Sequence, residues 1–432
     1  MQIKSLKEIC SLITKGTTPT SLGMKLNEGE INFIKVECLS EDGNIISSKM
    51  QKIDETTHNK LNRSKLHEGD ILYSIAGSIG RMTVVDSSIL PANTNQAVAI
   101  LRPIKELIDT QYLFYFLKDT KSQKNAMRRI VQSVQTNLSL GELSSLEVAI
   151  PSLPMQIAIG NFMNSLDAKI ASNNALSKTL EDIAQTIFKS WFIDFDPVKA
   201  KMAGEKPAGM DAATAALFPD SMEESELGLI PRGWEFRPIG DELEVSGGTT
   251  PSTTKPEFWD GEHCWTTPKD LSKQSGLITT SSERRITEAG LNQISSGLLP
   301  IHSVLMSCRA PIGYVSINAI PTAVNQGFIT LRNSAKYSPL YLVNWLLANM
   351  QEIKNRAGGA TFAEISRKSF REIPFLVPSI EVLAKFSELT VPTVLQFQQL
   401  ALQNEKLVAA RDSLLPRLIS GELQIPKEML AS

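Results

Sequence analysis

Gly16-Thr17-Thr18-Pro19-Thr20 returns as Gly248-Thr249-Thr250-Pro251-Ser252, an offset of 232 residues. Cys38-Leu39-Ser40 answers to Asp270-Leu271-Ser272 at the same offset, and Ser74-Ile75-Ala76-Gly77-Ser78-Ile79-Gly80 to Ser307-Cys308-Arg309-Ala310-Pro311-Ile312-Gly313 at 233. Asn95-Gln96 matches Asn325-Gln326 at 230, each followed by an alternating strand pattern that closes on Leu-Arg (Leu101-Arg102, Leu331-Arg332). Tyr112-Leu113 and Tyr341-Leu342 each open a short amphipathic helix pattern. Arg129 then pairs with Arg356, Leu138-Ser139 with Ile365-Ser366, and Pro151-Ser152 with Pro378-Ser379, all at 227. One such match says little. An ordered series with a slowly drifting offset is what small loop insertions do to two copies of one fold.

Each copy is followed by a long helical pattern. Residues 155–191 contain no proline and carry a heptad seam: Ile159, Leu166, Asn173, Leu180 and Ile187 in one row, Met163, Ile170, Ser177, Ala184 and Trp191 in the other. The shift of 227 gives Phe386, Thr393, Leu400, Leu407 and Leu414, with Thr390, Phe397, Asn404, Arg411 and Leu418 beside them. Apolar period-seven spacing over five heptads predicts coiled-coil helices that pair with each other. Asn173 and Asn404 on the seam would fix register at some cost in stability. Arg411 is expected to snorkel or pair at an edge, and Pro392 to kink or interrupt the second helix. Between the copies, residues 196–232 are acidic and punctuated by Pro197, Gly204, Pro207, Gly209, Pro219, Gly228 and Pro231, which reads as an extended connection.

The fold class predicted is therefore α+β: two tandem mixed α/β domains joined and separated by two long helices in an antiparallel coiled coil. The divisions are a first domain at 1–151, its helix at 152–195, a Pro/Gly-rich linker at 196–232, a second domain at 233–378, its helix at 379–424 and a tail at 425–432.

Composition narrows the function. With 42% hydrophobic and 21% charged residues the chain has the balance of an ordinary globular protein. It shows no apolar run of the ~20 residues that span a bilayer and no signal-like start, which places it in the cytoplasm. The net charge is −2, but it is unevenly spread. Residues 1–154 and 231–378 are each +2, while residues 155–230 are −5 and residues 379–432 are −1. Two weakly basic blocks thus alternate with acidic ones, compatible with nucleic-acid binding if a basic partner neutralises much of the phosphate.

Signatures of catalysis are missing. No Gly-Lys pair exists for a phosphate loop, and no G-x-G-x-x-G occurs. The [Asn/Asp]-Pro-Pro-[Tyr/Phe] tetrad of amino-methyl transfer is absent. The lone Pro219-Asp220 lies over a hundred residues from Glu352-x-Lys354, too far to suggest a clustered nuclease site. Cys10, Cys38, Cys264 and Cys308 form no C-x-x-C pair, and His58, His67, His263 and His302 show no i, i+4 spacing, so no metal ligand set is expected.

Two dissimilar domains, each trailed by a long helix that is similar between copies, resemble the specificity subunit of type I restriction-modification systems. The sharpest likenesses are Phe188-Lys189-Ser190-Trp191-Phe192-Ile193-Asp194-Phe195-Asp196-Pro197-Val198-Lys199-Ala200-Lys201-Met202 and Leu414-Leu415-Pro416-Arg417-Leu418-Ile419-Ser420-Gly421-Glu422-Leu423, with the paired Gly-Thr-Thr-Pro segments. The resemblance implies that each domain reads half of a bipartite site on double-stranded DNA and that the helices act as a ruler for the gap. It also implies docking of two modification (methyltransferase) subunits that use S-adenosylmethionine, joined by restriction subunits that use ATP and Mg, with no cofactor or membrane contact for this chain. Other readings stay open: the specificity subunit of another restriction-modification class, or a coiled-coil scaffold that binds no DNA.

Polar loops shared by both copies supply the candidate DNA contacts. Thr17, Thr18, Thr249 and Thr250 could bond phosphate or base edges. Asn95, Gln96, Asn325 and Gln326 could read adenine, although the asparagines equally suit turn-capping bonds. Arg81 and Arg309 lie at the glycine turns. Arg128, Arg129 and Gln135 form a basic and amide-bearing group answered by Arg356 and Thr361, and arginine suits guanine or phosphate. The two copies differ strongly in sequence, which predicts an asymmetric target.

Overall fold

The computed structural model describes residues 2–132, 137–274, 276–359 and 363–426. They form two compact units, one of Met1–Ile170 with Lys406–Ser432 and one of Ala171–Glu405.

The first unit contains strands β1 (Gln2–Ser5), β2 (Cys10–Lys15), β3 (Ile31–Ile34), β4 (Gln51–Ile53), β5 (Ile71–Ser74), β6 (Met82–Val84), β7 (Ala92–Thr94), β8 (Val98–Pro103) and β9 (Glu147–Ile150). A four-stranded antiparallel sheet runs β2-β8-β5-β6, a three-stranded sheet runs β4-β3-β7 with β3 and β7 parallel, and β1 pairs with β9. The larger sheet is buried on both faces. Ile71, Tyr73, Ala99 and Leu101 join one core with Tyr112, Leu113, Ile159 and Met163 of the helices. Leu72, Val98 and Ile100, pointing the other way by strand alternation, join Ile34, Cys38 and Leu39 under the smaller sheet. Two-sided burial is why Ile71-Leu72-Tyr73 of β5 and Val98-Ala99-Ile100-Leu101 of β8 are continuous apolar runs, where the sequence reading expects β8 to alternate.

The second unit repeats the plan. Its strands are β10 (Met222–Ser225), β11 (Gly228–Pro231), β12 (Glu235–Pro238), β13 (Val245–Ser246), β14 (Trp259–Thr266), β15 (Ile278–Thr279), β16 (Arg284–Ile286), β17 (Val304–Cys308), β18 (Ile312–Asn318), β19 (Thr322–Val324), β20 (Phe328–Leu331) and β21 (Pro374–Val377). The large sheet runs β13-β20-β17-β18-β15, the small one β16-β14-β19 with β14 and β19 parallel, and β12 pairs with β21. Strand for strand this is the topology of the first unit, with β15 added at one edge of the large sheet and the β10–β11 hairpin as a separate addition. The alternation recurs: Val304, Met306, Ile329 and Leu331 face the main core, and Leu305 and Phe328 face the opposite side.

The long helices span Leu153–Phe192 and Ile380–Ser420. In the second unit Asn173 meets Gln403 and Asn404, while Phe188, Trp191 and Phe192 meet Phe386 at ring separations of 6.1, 6.0 and 5.2 Å, so the two stretches run antiparallel. In the first unit Arg411 donates to Asp167 at 2.7 Å, and Ile159, Met163 and Leu166 share a core with Leu414, Leu415 and Leu418. Every seam position is buried or half-buried: Ile159, Met163, Phe386, Phe397, Leu400 and Leu418 are buried, and Leu166, Ile170, Leu180, Ile187, Leu407 and Leu414 half-buried.

One expectation gives way in full and another in part. The second helix is not interrupted at Pro392 and runs from Ile380 to Ser420. Pro392 and Glu388 are both exposed, so the carbonyl deprived of its donor belongs to a solvent-facing turn, where losing that bond costs least. Residues 196–232 are not an extended connection. They form helices Asp196–Met202 and Ala212–Ala216 and the β10–β11 hairpin, and they bury Val198, Phe218 and Ile230 in the core of the second unit. The residues that suggested a linker are caps and turns: Pro197 starts a helix and Gly204, at φ 73°, follows its end.

Candidate nucleic-acid interface

The Gly-Thr-Thr-Pro segments occupy the same place in both heads, against the turn that joins β7 to β8 and β19 to β20. Backbone contact fixes them there. A Cβ on Gly16 would lie 1.8 Å from the Thr94 carbonyl oxygen, and one on Gly248 would lie 1.6 Å from that of Val324. Only glycine permits that approach. Past the glycine, the Thr18 hydroxyl donates to Gln96 Oε1, and the Thr250 hydroxyl donates to Gln326 Oε1 at 2.5 Å. Asn95 Oδ1 accepts from the Ala97 N–H at 3.2 Å and Asn325 Oδ1 from the Gly327 N–H at 2.9 Å. Thr18, Gln96 and Asn95 therefore form one polar loop pair, and Thr250, Gln326 and Asn325 its counterpart. Each asparagine closes its turn while Gln96 and Gln326 remain exposed.

The arginines are dispersed. Arg81 pairs with Glu41 at 2.7 Å, Arg309 with Glu364 at 3.4 Å and Arg356 with Glu352 at 2.7 Å. Arg129 reaches the Ser145 hydroxyl and carbonyl and the Glu142 carbonyl, which ties it to its own head. Arg128, the preceding residue of the same helix, is exposed. Gln135 and Thr361 lie outside the described residues.

Two guanidinium groups that the sequence did not single out stand at the Gly-Thr-Thr-Pro loops. In the first head Arg63 donates to the Thr17 hydroxyl at 3.3 Å. In the second, Arg284 lies over the Trp259 ring, 3.5 Å from its centroid, and 5.4 Å from that of Trp265. The indole N–H of Trp265 donates to the Thr249 carbonyl at 3.2 Å and that of Trp259 to the Ser252 carbonyl at 3.0 Å. No spacing rule connects residues 249, 259 and 284; their meeting depends on strand pairing.

Among the described residues no group of three or more His, Cys, Asp or Glu is placed to hold a metal ion, and no helix is long and apolar enough to cross a membrane. All four cysteines are buried and unpaired. Burial pushes the Cys10 thiol up to about 12 and that of Cys308 to about 11, the opposite of the depressed value that activates a nucleophile.

The comparisons with known proteins agree with this plan. Residues 1–182 and 231–386 each match the family described as "Type I restriction modification DNA specificity domain". The chain is 27% identical over 405 residues to the type I restriction enzyme HindI specificity subunit of Haemophilus influenzae, covering 84% of this chain and 88% of that one. It is 22% identical over 441 residues to the putative MjaX specificity subunit of Methanocaldococcus jannaschii, covering 98% and 94%. A crystal structure of a type I restriction-modification S subunit from M. genitalium shares the fold, with a TM-score of 0.56 at 15% identity over 96% of this chain and 95% of that one. Two matched copies, two heads of one topology and a pair of antiparallel helices lead to one conclusion: the chain belongs to the type I restriction modification DNA specificity family.

Proposed function

We propose that this chain is the specificity subunit of a cytoplasmic type I restriction-modification enzyme, in which each head reads one half of a bipartite, asymmetric DNA target. The observation that carries the reading is a shared frame with unlike surroundings. Both heads hold a threonine–glutamine pair beside a Gly-Thr-Thr-Pro loop. The arginine at that loop comes from residues 62–64 in one head and from β16 in the other. A common frame with different readers is what two unlike half-sites require. On this reading the chain carries no catalysis and binds no cofactor. Modification subunits supply S-adenosylmethionine, and restriction subunits supply ATP and Mg. The formal charge of −2 fits a reader that shares phosphate neutralisation with basic partners.

The test is a methyladenine map of the source genome with and without this gene, paired with binding of the chain and its neighbouring modification subunits to duplex DNA across a salt series. The expected result is a gapped, non-palindromic motif that disappears on deletion, with affinity falling roughly 10³-fold or more between 50 and 200 mM salt. An unchanged map together with salt-independent or absent binding overturns the reading in favour of a protein scaffold.

A further inference from the structure

We propose that Arg284 is the guanine-reading side chain of the second head, held for that purpose by Trp259 and Trp265. The assignment rests on the DNA-recognition reading above and names one contact within it.

Arg284 opens β16, the edge strand of the small sheet, and is exposed. Its guanidinium stacks on Trp259, itself 7% exposed, with Trp265, 3% exposed, set edge-on behind at 5.1 Å. An arginine on an open strand ordinarily samples many rotamers. One laid flat on a buried indole keeps its plane fixed and its N–H edge turned outward. Among the described residues no carboxylate or other acceptor bonds the Arg284 side chain, whereas Arg81, Arg309 and Arg356 each hold a glutamate. The same two tryptophans bond the Thr249 and Ser252 carbonyls, so Arg284 and the Gly-Thr-Thr-Pro loop rest on one rigid base. A planar fork with two free parallel donors matches the paired O6 and N7 acceptors of guanine in the major groove.

Phosphate offers similar acceptors, but the register of the two heads favours a base. Trp265 stands opposite Ala323 and Arg284, and Phe33 stands opposite Asn93 and Gln51. Arg284 and Gln51 therefore occupy the same position of the repeated sheet. At this strand position a contact to the uniform backbone would call for a cation in both heads; the first head brings Arg63 to its loop from residues 62–64 instead. Here the first head has a neutral amide whose Oε1 is buried without a partner, and the second has a presented cation.

The test measures binding of the full chain with its modification subunits to duplexes carrying the mapped motif, with each base pair of both half-sites replaced in turn. Arg284→Gln and Arg284→Lys are expected to weaken binding to the mapped motif about 10- to 100-fold. At one G·C position of a single half-site they should also lose discrimination, so that wild type and variant bind the substituted duplex equally. Arg285→Gln, whose side chain leaves the opposite face of the strand and whose Nη1 donates to the Glu262 carbonyl, should leave the base profile unchanged. Unaltered melting temperatures show that the variants fold, and the lysine variant retains the charge should the glutamine one not fold. A loss of equal size on every duplex makes Arg284 a phosphate contact and overturns the assignment. So does a variant indistinguishable from wild type. A wild-type chain that binds no duplex overturns the DNA reading itself.

Discussion

Residues 16 and 248 show how little latitude the loop frame has. A methyl group on Gly248 would collide with a backbone carbonyl, which cannot rotate away as a side chain can. Gly248→Ala should cost about 3 kcal/mol, seen as a lowered denaturant midpoint. Asp70 shows a second kind of constraint. Its side chain is 1% exposed and accepts from Arg102 Nε and Nη2, each at 2.8 Å, as well as from the His67 N–H. Asp70→Asn leaves Arg102 without its charge partner, and a loss of about 3 kcal/mol in chemical unfolding is expected. The sequence disclosed the polar loops because Thr18, Gln96, Thr250 and Gln326 recur at nearly one offset. It could not disclose that these residues bond to each other, nor that Arg284 lies on Trp259. Those meetings are set by strand order, which leaves no periodic trace.

At the level of elements the coiled coil was the most legible part, because a seam repeats in burial as it repeats in sequence. The seam's polar centre is bonded across the pair. Asn173, 2% exposed, donates to Gln403 Oε1 and Asn404 Oδ1, both at 2.8 Å, and Asn404 donates to Asn174 Oδ1 at 2.8 Å. Asn173→Leu removes the shared donor and should destabilise the second unit by about 1–2 kcal/mol, whereas Asn173→Leu with Asn404→Leu should recover most of that loss by apolar contact. A double-mutant cycle on urea midpoints measures the coupling, and strict additivity would show that the amides act independently. The prolines and glycines of residues 196–232 look alike in a linker and in a run of short capped elements, so their spacing does not tell the two apart. Val198, Phe218 and Ile230 were the signal to the contrary, but they share no period.

Across the whole molecule, burial sets the response to alkali and to thiol reagents. Desolvation raises Cys10 from 9.0 to about 12, Cys308 from 9.0 to about 11 and Tyr73 from 10.0 to about 12. The native state keeps protons that the unfolded chain releases. These groups therefore contribute fully below about pH 9, and stability should fall as pH climbs from 9 towards 12. Urea midpoints flat to pH 9 and declining above it are expected. Iodoacetamide at pH 8 should leave the four cysteines unmodified until denaturant is added.

The composition of the first unit also bears on how the chain is made. Its core includes Leu415, Leu418, Ile419 and Ile425, residues that follow the entire second head in the sequence. On the ribosome the amino-terminal strands emerge first, yet their apolar helix face waits for the last part of the second long helix. The second unit, Ala171–Glu405, is contiguous and can close during synthesis. The head translated first is thus the one completed last.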